Sequence, residues 1–293
     1  MASPAILFDL DNTLVMEDEA TFAAVRSTCE FAASRTRVDA DPLVTAVPRL
    51  AASLWKASPT SPYADTMGIW WGEGLWGDFR GEAPELRALG DFVPTFRREV
   101  WAGALAAVGV ADDALANELV ETYRTVRRAR EPVDAQAEPV LARLALDHRL
   151  ALVTNGAPDV QREKLAGTTL AGYFGAIVIS CEVGFAKPDP RIFEIALDRI
   201  GASAPEAVMV GDSLARDVAG ARAAGIRAVW IDRRLWADEK GPTPDARIET
   251  LSALPAALAA LGPVAVSPQD LREPHPPSAR DGSRGRASRT EGR

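Results

Sequence analysis

Five apolar runs of strand length, at 5–10, 150–154, 176–180, 207–211 and 228–231, are continuous rather than alternating, and this pattern restricts the chain more than any other. A strand that carries apolar side chains at successive positions buries both of its faces, as in a parallel sheet covered by helices. Helical stretches at 158–166, 190–200 and 214–224 separate the later runs. Strand and helix in alternation predict an α/β fold with a doubly wound parallel sheet. Local signals agree: Asp189 suits an N-cap, Pro190 the first helical position and Gly201 the stop, and Gly225 closes the helix that follows Asp212.

The first connection breaks the rhythm. From about residue 16 to 136 it is far too long for a crossover, and it reads as helices near 18–37, 42–56, 91–108 and 112–130, interrupted by a Pro/Gly-rich stretch from Ser58 to Gly90. The expected organisation is a Rossmann-like core from residues 1–15 and 137–262, an inserted α-helical cap domain over 16–136, and a disordered tail over 263–293. The tail is rich in Pro, Ser, Gly and Arg, with six arginines against four acids.

Chemistry-bearing residues collect where the strands end. They are Asp9, Asp11, Asn12 and Thr13; Thr154, Asn155 and Gly156; Lys187, a few residues past a strand end; and Asp212 with Asp217. An open parallel sheet places its ligand-binding loops there. Asp9 and Asp11 are two apart, so strand alternation points both to the same side. Two carboxylates that close need a metal between them or a proton on one. Phosphoryl transfer uses both: one carboxylate attacks phosphorus and binds Mg²⁺, while the other protonates the leaving oxygen and later deprotonates water. Asp212 supplies a second carboxylate to the ion, Thr154 a hydroxyl donor and Lys187 a cation. The turn at Asn12 and Thr13 is expected to present backbone N–H groups to phosphate oxygens. Asp217 is placed to orient Lys187 or a metal-bound water.

Composition narrows the alternatives. Thirty-three basic residues against 41 acidic ones give a net charge of −8, which argues against a nucleic-acid or anionic-membrane partner. No apolar run approaches the ~20 residues of a bilayer span, and the N-terminus lacks a signal-peptide pattern. A cytoplasmic monomer or homodimer acting on a small phosphorylated metabolite is expected. Cys29 and Cys181 lack metal-ligand spacing, and two histidines, His148 and His275, leave little material for a Ser-His-Asp mechanism. Only four basic residues are lysines, so Lys187 in a Gly-x-x-Lys-Pro setting is informative.

With these motifs in order, the chain resembles the haloacid dehalogenase superfamily. Its Asp-x-Asp-x-Thr motif is matched by Asp9, Asp11 and Thr13, its second-motif hydroxyl by Thr154, its lysine by Lys187 and its acidic motif by Asp212 and Asp217. The resemblance covers about residues 5–262. It implies Asp9 as nucleophile, Asp11 as acid/base, and magnesium held by Asp9, the backbone carbonyl of Asp11 and Asp212. The insertion resembles the helical cap of the first cap class. Thr154-Asn155-Gly156, then Gln161-Arg162-Glu163-Lys164, Tyr173-Phe174 and Lys187-Pro188 are similar to the N-acylneuraminate-9-phosphatase group. The expectation is a Mg²⁺-dependent phosphatase with an aspartyl-phosphate intermediate. The alternatives are a 2-haloacid dehalogenase, a phosphomutase or a non-catalytic binding module.

Five of seven tryptophans, Trp55, Trp70, Trp71, Trp76 and Trp101, fall in the insertion. Packing within it is the default expectation. A lid hinged on the glycines of Trp70-Trp71-Gly72-Glu73-Gly74-Leu75-Trp76 is the sharper one. Arg80, Arg97 and Arg98 are expected on solvated helix faces, with contact to an acidic substrate as the alternative.

Overall fold

The computed structural model describes residues 4–129, 132–234 and 240–262, so the tail expected at 263–293 lies outside the described residues. Strands β1 (Ala5–Phe8), β2 (Arg149–Thr154), β3 (Ala176–Ile179), β4 (Ala207–Gly211), β5 (Arg227–Ile231) and β6 (Ala246–Ile248) form one sheet in the order β3-β2-β1-β4-β5-β6. Every adjacent pair is parallel. The apolar runs are continuous because successive residues feed opposite cores: Ile6 and Phe8 join Leu152 and Val210 on one face, while Ala5 and Leu7 join Val153 and Met209 on the other. Phe8 is in register with Leu152 and with Val210. The chain order reverses between β1 and β4, so the ends of β1, β2 and β4 flank the crevice where such a sheet binds ligands.

Helices α1 (Glu17–Arg35), α2 (Ala40–Ala57), α3 (Ser61–Met67), α4 (Trp71–Gly74), α5 (Pro84–Ala107) and α6 (Asp113–Arg128) fill the connection from β1. Then come α7 (Ala137–Leu144), α8 (Pro158–Ala166), α9 (Ser180–Val183), α10 (Pro190–Ile200), α11 (Ala219–Ala223) and α12 (Leu254–Ala260). Helix α10 is capped as expected: the Asp189 side chain accepts from Arg191 N, and Gly201 stops the helix at φ 63°. The structure departs from the expectations in several places, and α3, α4, α7, α9 and α12 lie outside the expected helices. Helix α5 begins at Pro84 rather than near 91, because Pro at the first position is pre-organised for a helix. Gly90, which suggested a break, instead lets α5 approach the Asp78 carbonyl. The stretch 214–224 opens with a π-helical turn over Leu214–Val218, and strand β6 was absent from the expected set.

The insertion has its own apolar core, to which Ala157 and Val160 at the start of α8 also belong. Trp55, Trp76 and Trp101 are buried in it, whereas Trp70 and Trp71 are half-buried. The glycines between them serve packing, which corrects the hinge expectation. A Cβ on Gly72 would lie 2.4 Å from the Trp70 ring, and one on Gly74 would lie 2.3 Å from the Trp55 ring. Arg97 donates to the carbonyls of Gly74 (2.9 Å) and Gly77, and Arg124 pairs with Asp78 at 2.6 Å, fastening the segment down. Arg97 is buried in this role, while Arg80 and Arg98 are exposed. Gly74→Ala is expected to cost about 1–3 kcal/mol by overpacking and to lower the thermal midpoint by several degrees. An unchanged melting curve would show that Trp55 has room to shift.

Candidate active site

The carboxylates of Asp9, Asp212 and Asp217 lie at the carboxyl edge of the sheet, with one oxygen of each within 4.8 Å of the others. Asp9 follows β1 and Asp212 follows β4, so strand pairing alone brings these two together. Asp217 arrives through the π-helical turn: both Asp217 N and Val218 N donate to Ser213 O, at 2.9 and 3.2 Å. Its carboxylate then accepts from Ser213 N at 3.0 Å and from Lys187 Nζ at 2.7 Å. A Cβ at position 211 would meet Asp217 Cγ at 2.3 Å, so only glycine admits this approach. Lys187, 4% exposed, also donates to Asp9 Oδ1 at 2.5 Å. Thr13 Oγ1 donates to Asp9 Oδ2 at 2.9 Å.

Burial pushes the Asp9 carboxyl up. Lys187 pulls it down, Asp217 and Asp11 push it up again, and it stands at about 7. Burial works against the Lys187 ammonium, yet Asp217 and Asp9 hold it well above the usual lysine value. Thr154 is buried, accepting from Gln161 Nε2 at 2.6 Å and donating to Asn155 O at 3.3 Å.

Several predicted residues are placed differently from the expectation. Strand β1 ends at Phe8 and Asn12 adopts φ 58°, so alternation does not carry through Asp9 and Asp11. Asp11 engages a second cation instead: Oδ1 accepts from Lys164 Nζ at 2.8 Å and Oδ2 from Gln161 Nε2 at 2.9 Å. The Asn12 and Thr13 amides donate within their own turn, to Val15 O at 2.6 Å and Leu10 O at 3.3 Å, rather than outward. The Asn12 side chain bonds Asp18. Asn155 grips the Lys187 peptide, Nδ2 donating to Lys187 O at 3.0 Å and Oδ1 accepting from Lys187 N at 2.8 Å, so it orients the lysine loop. Gly156, at φ 136°, donates its N–H to Ser180 Oγ at 2.9 Å, with Gln161 against it where a Cβ would stand.

Sequence reasoning left Gln161, Lys164, Glu73 and Arg233 unassigned to the site. Arg233 donates to Asn12 O at 3.0 Å and Thr13 O at 2.7 Å, fastening the turn after Asp9. Lys164 is fully buried and meets Asp11, Glu73 and Glu17 at 2.8, 2.8 and 3.2 Å. Its signal was the scarcity of lysine, since two of the chain's four, Lys164 and Lys187, are in this site. Glu73 comes from α4 of the insertion. Burial pushes its carboxyl up, Lys164 pulls it down, and it stands at about 7.

Comparison with known proteins places this geometry in a lineage. A family model for haloacid dehalogenase-like hydrolases matches residues 4–225. A phosphoserine phosphatase of Thermus thermophilus is 40% identical over 249 residues, 84% of this chain and 95% of that protein. The N-acylneuraminate-9-phosphatase of Homo sapiens is 32% identical over 152 residues, 51% of this chain and 61% of that protein. Among solved structures, a 2-haloacid dehalogenase from Pseudomonas syringae superposes with a TM-score of 0.53 at 28% identity, over 88% of this chain and 99% of that one. The HAD-hydrolase YfnB from Bacillus subtilis bound to magnesium shares the fold with a TM-score of 0.60 at 21% identity, over 88% of this chain and 99% of that one. The chain belongs to the haloacid dehalogenase-like hydrolase family, alongside relatives named for phosphatase activity.

Proposed function

We propose that this phosphoric monoester hydrolase requires Mg²⁺, works through an aspartyl-phosphate on Asp9, and acts on a small phosphorylated metabolite beneath a cap formed by the helical insertion. The observation that carries the reading is the meeting of Asp9, Asp212 and Asp217, with Lys187 between Asp9 and Asp217. Magnesium takes oxygen donors, usually one or two carboxylates with waters and substrate oxygens. Asp9 and Asp212, which follow the paired strands β1 and β4, are the carboxylates that would hold the ion, with the Asp11 carbonyl that the family resemblance implies, while Asp217 orients Lys187. When bound, the ion neutralises the clustered charge and polarises the phosphate.

Asp9 is the nucleophile that attacks phosphorus. Thr13 and Lys187 hold its oxygens in place, and Lys187 with Thr154 stabilises charge on the equatorial oxygens. Asp11 protonates the leaving alcohol, then takes a proton from water as that water attacks the aspartyl-phosphate and frees Asp9. For this, one Asp11 oxygen exchanges its bond to Lys164 or Gln161 for one to substrate.

O-phosphoserine is the first substrate to test, because the match to the Thermus phosphatase spans 84% of this chain and 95% of that protein. With Mg²⁺ the protein should release phosphate from it. Removal of the ion with EDTA should abolish release by at least about 10³-fold, on the scale of several kcal/mol of transition-state stabilisation, and added Mg²⁺ should restore it. The dehalogenase reading, favoured by the Pseudomonas structure, predicts chloride release from 2-chloropropionate that survives EDTA. That result, with no phosphate release, would replace the phosphatase reading.

A further inference from the structure

Glu73 is a buried carboxylate that the phosphatase chemistry leaves over. It is 1% exposed, and its Oε1 accepts from Lys164 Nζ at 2.8 Å. The same ammonium donates to Asp11 Oδ1, so Glu73 and the proposed acid/base carboxylate stand at most two hydrogen-bond lengths apart. Two acceptors in this group have no donor. Glu73 Oε2 and Gln161 Oε1 are both buried without a hydrogen-bond partner. The Gln161 amide is oriented by three acceptors on its nitrogen, Asp11 Oδ2, Thr154 Oγ1 and Asn155 O, which leaves its oxygen as the unpaired atom.

An unsatisfied buried acceptor costs about 1–3 kcal/mol, and more when it carries charge. Here three carboxylates, Asp11, Glu17 and Glu73, converge on Lys164, and Arg127 serves Glu17 at 2.5 Å. Among the described residues, two cations, Lys164 and Arg127, meet these three carboxylates, Asp11 included. The backbone is built to keep the carboxylate there, since Arg97 fixes the carbonyls of Gly74 and Gly77.

We propose that Glu73 Oε2 and Gln161 Oε1 form a subsite for a protonated amine on the leaving alcohol of the substrate. The proposal rests on the phosphatase reading, because only in that reaction does Asp11 face a leaving oxygen. The amine would stand one carbon beyond the ester-bearing carbon, because Glu73 and Asp11 share the Lys164 ammonium and Gln161 donates to Asp11. Glu73 is then a specificity-determining residue contributed by the insertion, and substrates enter when the insertion parts from the core.

The test compares O-phosphoserine with 3-phosphonooxypropanoate, which is the same molecule without its amine, on the full chain with Mg²⁺. Wild type should prefer the amine-bearing ester. Glu73→Gln should lower kcat/KM for O-phosphoserine by about 10- to 100-fold, the scale of a hydrogen bond to a charged group, mainly through KM. Its loss on 3-phosphonooxypropanoate should be at least about tenfold smaller than its loss on O-phosphoserine. Glu73→Asp, which keeps the charge, carries the same comparison if the amide form does not fold. Equal losses on both esters would overturn the proposal and leave Glu73 as a support for Lys164. Equal wild-type activity on the two esters, or an unaffected variant, would also overturn it. Failure of the phosphatase reading shows separately, as wild type releasing phosphate from neither ester nor from p-nitrophenyl phosphate.

Discussion

Asp9→Asn is expected to reduce phosphate release by about 10⁴-fold or more, the scale on which loss of a covalent nucleophile acts. An amide at this position keeps the Thr13 hydrogen bond but cannot form the acyl phosphate, so no base-labile phosphoenzyme should be trapped by acid quench. Turnover near the wild-type rate would remove Asp9 from the nucleophile's role. The same variant separates chemistry from stability. The folded-state carboxyl of Asp9 stands at about 7, above its ordinary value of 3.8, with burial the largest cause. A raised folded-state value means that the folded, metal-free protein holds this proton more tightly than the unfolded chain. The stability Asp9 contributes is therefore present below about pH 4 and is lost as pH rises through about 7. In EDTA at pH 8, Asp9→Asn should melt a few degrees above wild type, and the gap should close toward pH 4. Wild type melting at or above the variant at pH 8 would show that Lys187 fully offsets the buried charge.

Lys187→Met should be damaging on both counts. Removing the ammonium leaves Asp9 and Asp217 buried, 5% and 1% exposed, without the cation between them. Breaking a buried pair from one side costs about 3–5 kcal/mol, which should appear as a lower urea midpoint. Activity should fall by about 10²–10³-fold, as when one preorganised donor to the transition state is lost. The Asn155 clamp grips the peptide of residue 187 and not its side chain, so the loop itself should stay in place. Lys187→Arg should rescue little, because a guanidinium fork does not fit a position built for a point charge. A variant with wild-type stability and less than a tenfold loss of activity would contradict both arguments.

Much of the fold was legible because its signals are local. A continuous apolar run reports burial on both faces, and Asp189-Pro190 with Gly201 marks both ends of α10. The motif residues were legible for the same reason, since Asp9, Thr154 and Asp212 each end or follow a strand that register sets side by side. What escaped depended on distant partners. Glu73 and Lys164 are 91 residues apart, and Lys164 and Asp11 are 153 apart. Gly72 and Gly74, read as hinges, are glycine because indole rings occupy the space where their Cβ atoms would be.

The amino-acid sequence by itself determined a parallel α/β sheet with a helical insertion and the identity of the carboxylates, hydroxyl and lysine at its edge. Hydrophobic period, caps and turn residues act over a few positions. Only the tertiary structure decided which carboxylate meets which cation: Asp9 and Asp217 with Lys187, Asp11 and Glu73 with Lys164. Burial removes water as the default partner of a charge, so its state is set by whichever group the fold brings within hydrogen-bonding distance, however far away along the chain.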